Sequence, residues 1–72
     1  MREITVSARE AGQRLDKFLG KYLPEAPRSF FYKMLRKKNI TLNGKKAAGM
    51  EKLQEEDRIH FFLSEETIEK FR

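Results

Sequence analysis

Leu15, Phe18, Leu19, Tyr22 and Leu23 stand at i, i+3, i+4, i+7 and i+8, and Pro24 follows them. No other spacing in the chain restricts the fold as much. Wound at about 100° per residue, these side chains form one apolar stripe. Arg14, Lys17 and Lys21 lie off it. Pro24 stops the helix, because proline offers no N–H and crowds the preceding turn. Ser7 and Glu10 have the form of a capping box ahead of the helix. Gly12 blurs that start, which is placed between Glu10 and Gln13.

A second helix is predicted over Arg28 to Lys38. Phe31, Met34 and Leu35 share its apolar face with Phe30 at the edge, and Ser29, Tyr32, Lys33, Arg36 and Lys37 fall opposite. Pro27 suits the first turn, and Asn39 tolerates the left-handed backbone of a helix stop. The linker Glu25-Ala26 is short, so the helices should pack as a pair.

Strand patterns surround this pair. Ile4 and Val6 share a face of a short strand from Arg2 to Val6. Ile40-Thr41-Leu42 alternates, and Asn43-Gly44 follows as a tight turn, since both residues accept positive φ. Gly49 to Glu56 reads as loop with Leu53 as core anchor. From Arg58 to Leu63, Ile59, Phe61 and Leu63 face one way while His60 and Phe62 face the other. Ser64 is a good N-cap, with Glu65 and Glu66 behind it to complement the helix dipole. The fold class is α+β: two packed helices on a small, mainly antiparallel sheet of three to five strands, with a short C-terminal helix or linker. Ile40, Leu42, Leu53, Ile59 and Phe61 should complete the core. The capped segment 64–72 carries Ile68 and Phe71 and then stops, which reads as a fragment, a linker to something larger, or a frayed terminus.

Charge is unevenly placed. Residues 26–50 hold seven of the 16 basic residues (Arg28, Lys33, Arg36, Lys37, Lys38, Lys45, Lys46) and none of the 11 acids. The rest is net negative, so the whole net charge of +5 arises in this segment. Such a field attracts a polyanion. A basic helical face is often merely solvated, but here the acids are missing from helix, strand and turn together. Tyr32 adds a ring among cations, able to stack on a base or ribose. A pI near 9.8 fits nucleic acid first and an anionic membrane surface second.

Other classes find little support. Seventy-two residues allow one small domain with a modest core. There is no cysteine, and the single histidine, His60, leaves no metal cluster or His-based dyad. No apolar run approaches membrane-spanning length, and no signal-peptide core follows Met1, so a soluble, cytoplasmic protein without cofactor or metal is expected. Seven of the acids follow Met50, in loop and cap positions. Asp16 sits between two cations and is read as a salt bridge to Arg14, Lys17 or a residue of the second helix.

Four stretches in order carry a resemblance: Gly12 to Leu19 (GQRLDKFL), Pro27 to Ser29 (PRS), Asn39 to Lys46 (NITLNGKK) and Lys52 to Ile59 (KLQEEDRI). Together they resemble the small RNA-binding domain named after ribosomal protein S-four, also called the alpha-L motif. The wording from Gly12 to Pro24 is most similar to the N-terminal domain of large-subunit ribosomal RNA pseudouridine synthases. The same module occurs in tyrosyl-tRNA synthetases and in a ribosome-associated heat-shock protein. The resemblance implies an RNA surface of Arg14 and Lys17, then Arg28, Ser29, Tyr32, Lys33, Arg36 and Lys37, then Asn43, Gly44, Lys45 and Lys46. It further implies a monomeric RNA-binding domain over 1–63, with 64–72 leading to a missing catalytic domain. Three positions depart from the family: Pro27 for serine, Asn39 for glycine at the helix stop, and Glu56 for glycine before Asp57. Arg14-Leu15-Asp16 also occurs within the synthases' catalytic motif, but here it lacks the preceding histidine and the following threonine-serine-glycine, so no catalysis is expected.

The leading expectation is a module that docks structured, ribosomal RNA through a basic helix and turn. A stand-alone ribosome-associated RNA-binding protein is an alternative. A protein-interaction domain using exposed Phe30, Phe62 and Phe71 is another, and a DNA-binding helix pair a third. Against the last, the outward residues are mostly Lys and Arg, with few base-reading Asn or Gln.

Overall fold

A computed structural model describes residues 2–72. The chain runs β1 (Arg2–Thr5), α1 (Leu15–Tyr22), α2 (Arg28–Arg36), β2 (Ile40–Leu42), β3 (Arg58–Phe61) and α3 (Glu65–Phe71). The three strands form one sheet in the order β1-β3-β2, with both pairings antiparallel. The architecture is α+β, as expected. Ile4, Ile59 and Leu42 lie in one cross-strand row, and Glu3, His60 and Thr41 lie in the next, on the opposite face.

A single core gathers the helix stripes and the inner sheet face. Leu15, Leu19, Leu23, Leu35, Ile40, Leu53, Ile59 and Phe61 are all essentially inaccessible. Leu42 is only half-buried, because β2 is a sheet edge. Val6, Ala47 and Ile68 join the core as well. Ile68 lies on α3, so the capped C-terminal segment is a helix folded onto the rest. Ser64 Oγ accepts the Thr67 N–H at 3.1 Å as its cap. The Glu25 N–H donates to the Phe71 carbonyl at 2.9 Å, and the Phe30 and Phe71 rings meet at 4.7 Å.

Four local expectations shift. First, α1 begins at Leu15, later than the placement at residues 10–13. Glu10 Oε1 does accept the Ser7 N–H at 3.1 Å, but the box closes a turn, and Gly12 at φ +94° redirects the chain. The helix start is instead satisfied by the loop after residue 48. The Leu15 and Asp16 N–H groups donate to the Glu51 and Gly49 carbonyls, each at 2.8 Å. Second, Pro27 is the N-cap of α2 and lies just before its first turn. Third, Lys38, not Asn39, takes the left-handed position at the end of α2, with φ +62°. The Lys38 N–H donates to the Leu35 carbonyl and the Asn39 N–H to the Met34 carbonyl, which is the Schellman pattern. Fourth, Phe30 and Phe71 are half-buried against each other while Phe62 stacks on His60 at 4.5 Å, so the three phenylalanines do not present equally exposed surface.

Candidate nucleic-acid interface

The basic segment folds into two adjoining pieces. On α2 the apolar residues Phe31, Met34 and Leu35 turn inward, which leaves Arg28, Ser29, Lys33, Arg36 and Lys37 exposed on the outer side. Two residues after Lys38 the chain enters β2, and Asn43-Gly44 then reverse it with φ of +54° and +77°. The Leu42 and Lys45 backbones exchange both hydrogen bonds at 3.0 Å, so this is a tight two-residue turn of the primed type. Lys45 and Lys46 leave it exposed. After one bridge, between Leu42 and Lys45, the chain departs from β2 as loop.

The turn is braced from β3. Asn43 Nδ2 donates to Asp57 Oδ1 at 3.0 Å, and Asn43 Oδ1 accepts the Arg58 N–H at 2.9 Å. The Asn43 side chain therefore holds the turn's position. Glu56 adopts φ +78°, the conformation its glycine counterpart would take freely. The tight turn before Asp57 survives, since the Asp57 N–H donates to the Gln54 carbonyl at 3.1 Å and Asp57 Oδ2 accepts the Gln54 N–H at 2.8 Å.

Arg14 reaches the same region through a buried acid. Asp16 Oδ2 accepts from Arg14 Nη2 at 3.0 Å and from the Tyr32 hydroxyl at 2.7 Å, and its side chain is 4% exposed. Of the partners expected for Asp16, Arg14 forms the salt bridge, while Tyr32 of the second helix adds a hydrogen bond. The Tyr32 hydroxyl above all, then Arg14 and the Lys17 N–H, hold the Asp16 carboxyl below the usual range against the opposing push of burial. The same hydrogen bond, with burial, raises the Tyr32 phenol. Tyr32 is thus half-buried and tied down by its hydroxyl. A side chain at Gly49 would meet the Tyr32 ring at 2.8 Å, so this contact needs glycine there, where φ is +109°. Burial pushes the neighbouring Glu51 up, but N–H donors from Ala48, Gly49 and its own backbone outweigh that and hold it low.

The electrostatic contrast is sharp. Among the described residues, none of Arg28, Lys33, Arg36, Lys37, Lys38, Lys45 and Lys46 takes part in an ion pair. Lys38 belongs to this set, although the resemblance did not place it on the surface; the run of cations in the sequence was its only signal. Lys17 is exposed on α1. Among the described residues no group of three or more His, Asp or Glu could hold a metal, and no helix is long and apolar enough to cross a membrane.

The chain is similar to known proteins. A family model described as "S4 domain" matches residues 13–59. Ribosomal large subunit pseudouridine synthase C of Salmonella typhi and that of Escherichia coli strain K12 are each 38% identical to this chain over 56 residues. Those alignments take in 78% of this chain and 18% of each relative. The Yersinia pestis protein of the same name is 48% identical over 40 residues, or 56% of this chain and 12% of its own length. The chain thus spans less than a fifth of these relatives, and the rest of their length has no counterpart in the 72 residues.

Proposed function

This chain belongs to the S4 domain family, and from that premise we propose that it docks structured ribosomal RNA through the outer side of α2 and the Asn43–Lys46 turn. The S4 domain is an RNA-binding fold. The observation that carries the docking surface is the set of exposed cations on α2 and the turn that have no acidic partner among the described residues. Cations so placed are free to neutralise phosphates, which supplies affinity and steers encounter. Arg28, Lys33, Arg36, Lys37, Lys45 and Lys46 make the contacts in this reading, with Arg14 and Lys17 beside them. Ser29 offers a hydroxyl at the α2 start. Asn43 and Gly44 shape the turn, and Tyr32 presents its ring while its hydroxyl stays on Asp16.

Duplex RNA hides its base edges in a narrow major groove, so a rigid helix beside a rigid turn suits a stem-loop or junction. The relatives' name supports a ribosomal target and a larger enzyme. In this reading residues 1–63 carry the RNA-binding surface, α3 packs onto them, and a catalytic pseudouridine synthase domain lies outside these 72 residues. The module itself performs no catalysis and raises the effective concentration of its tethered partner on the RNA. It acts as a monomer in the cytoplasm, where ribosomes are built.

The test is fluorescence anisotropy with ribosomal RNA stem-loops, wild type against Arg36→Glu/Lys37→Glu, with folding checked by circular dichroism. Wild-type binding should weaken with salt at a slope of log K against log salt near −4, for about five phosphate contacts. A slope near zero, or undiminished binding by the folded double variant, overturns the docking surface. Competition with DNA of the same sequence separates the RNA reading from a DNA-binding helix pair.

A further inference from the structure

A slot of about 380 Å³ opens beside the outer edge of the sheet at β1. That volume lies within the usual range for small-ligand sites, roughly 300–1,000 Å³. Ile4 and Tyr22, both half-buried, and Phe18 form its apolar wall. The Phe18 and Tyr22 rings are parallel to within 5° at 6.3 Å. Arg9 and Lys21 line it as exposed cations. Its one acid, Glu10, already accepts from Ser7 through Oε1.

Gln13 also lines the slot. Its Nε2 donates to the Glu10 carbonyl at 3.1 Å, which fixes the amide's orientation, since a flipped amide would set oxygen against oxygen. Its Oε1 is shut off from solvent and has no hydrogen-bond partner among the described residues. Buried acceptors without donors are few in folded proteins, so one at a slot wall asks for an explanation. An amino group arriving in the slot would satisfy it if the Gln13 amide swung outward and released the Glu10 carbonyl.

An apolar, aromatic wall, an amide in the lining and two exposed cations suit a nucleotide: a face for the base, a partner for its amino edge and a counter-charge for its phosphate. A neutral peptide would leave the two cations unmatched. Continuity strengthens the point. Arg14, Lys17 and Lys21 follow one another at i, i+3 and i+7, so the cations of α1 run from the RNA surface toward the slot.

We propose that this slot holds one unstacked nucleotide of the RNA bound by α2 and the turn, with its base against Ile4 and Tyr22 and its phosphate at Arg9 and Lys21. The proposal rests on the RNA reading above and sharpens it: the favoured target is a stem with an unpaired nucleotide.

The test uses the 72-residue chain labelled with nitrogen-15 and two kinds of RNA hairpin. One has a fully paired stem; the other carries a single unpaired A, G, C or U, tried in turn. Both should shift amide signals of α2 and residues 43–46. Only an unpaired-nucleotide hairpin should also shift Ile4, Arg9, Gln13 and Tyr22, and it should bind about tenfold tighter, as stacking one base allows. Arg9→Ala should cut that advantage below threefold and leave affinity for the paired hairpin within twofold. If α2 and the turn respond while the slot stays silent for all four nucleotides, the subsite is overturned and the RNA reading stands. Equal slot shifts with paired and unpaired hairpins overturn it too, because backbone contact then suffices. No shift anywhere overturns both.

Discussion

The α2–turn surface and the β1–α3 side of the molecule are both rich in charge and use it in opposite ways. Between β1 and α3, Arg2 pairs with Glu65 and donates to the Tyr22 hydroxyl at 2.8 Å. Arg72 meets Glu69 at 2.8 Å, and Glu3 lies 3.7 Å from His60. Arg2 thus ties β1 to α3, Arg72 pairs within the end of α3, and exposed pairs of this kind contribute little. Between Arg28 and Lys46 seven exposed cations form no ion pair among the described residues. They repel one another, while Lys33 and Arg36, in the last turn of α2, gain from the helix dipole. Arg14 stands at the boundary, half committed to Asp16. The difference teaches that charge count alone does not single out a candidate surface; clustered cations in a segment that holds no acid do.

Reversing charge on each side separates the two roles most forcefully. Arg36→Glu/Lys37→Glu should weaken stem-loop binding about a hundredfold near 0.1 M salt, because two phosphate contacts become repulsions. Arg72→Glu, on the other side, should change it less than about threefold by screened long-range attraction alone. Anisotropy titrations of both variants check this, and equal losses would erase the distinction.

Asp16 probes the boundary. Its removal in Asp16→Ala leaves the Tyr32 hydroxyl and Arg14 without their acceptor and should cost about 1–3 kcal/mol in urea unfolding. The pH dependence has a definite sign. Asp16 and Glu51 titrate lower folded than unfolded, so their contribution is complete above the ordinary carboxylate range. It should fade as pH falls below about 4 and through their folded values. In Asp16→Asn this acid loss should be visibly smaller. An unchanged acid limb would mean that the buried carboxylate is not what couples α1 to α2.

Much of this arrangement was legible in the sequence, for physical reasons that differ by region. The stripe from Leu15 to Leu23 and the Asn43-Gly44 turn are set by local rules, periodicity and positive φ, and both stand where the sequence puts them. The salt bridge of Asp16 was readable because its cation is two residues away. What stayed hidden is non-local. The start of α1 depends on carbonyls at Gly49 and Glu51, more than thirty residues on, and no side-chain cap signals it. Ile68 enters the core only because α3 folds back on Glu25 and Phe30. The slot beside β1 joins residues 4 to 22 across a strand and a helix, and no spacing announces a cavity.

Glu56 tests a smaller claim, that scaffold and surface are independent. A left-handed non-glycine residue costs on the order of 1 kcal/mol, and Glu56 sits at φ +78°. Glu56→Gly should therefore stabilise the fold by up to about 1 kcal/mol, less the entropy glycine adds to the unfolded chain. RNA affinity should stay within about twofold, since Asn43 and Asp57 still brace the turn. A large affinity change would show that the loop before β3 sets the position of Lys45 and Lys46 more tightly than its hydrogen bonds suggest.

The smallest effect weighs the two regions against each other directly. Added salt screens both, with a Debye length near 10 Å at 0.1 M. Screening weakens the Arg2–Glu65 and Arg72–Glu69 pairs and should lower stability. It also relieves repulsion among the cations of α2 and the turn and should raise it. Seven unpaired cations in one segment outweigh a few exposed pairs worth little each, so the net sign should be positive. The free chain is expected to gain about 0.5 kcal/mol, or roughly 2–4 °C in Tm, between about 20 and 300 mM sodium chloride. Bound to RNA the sign must reverse, because salt then displaces the ligand that relieves the repulsion. A free chain that loses stability with salt would mean that the β1–α3 pairs dominate and that the basic surface carries little strain for RNA to release.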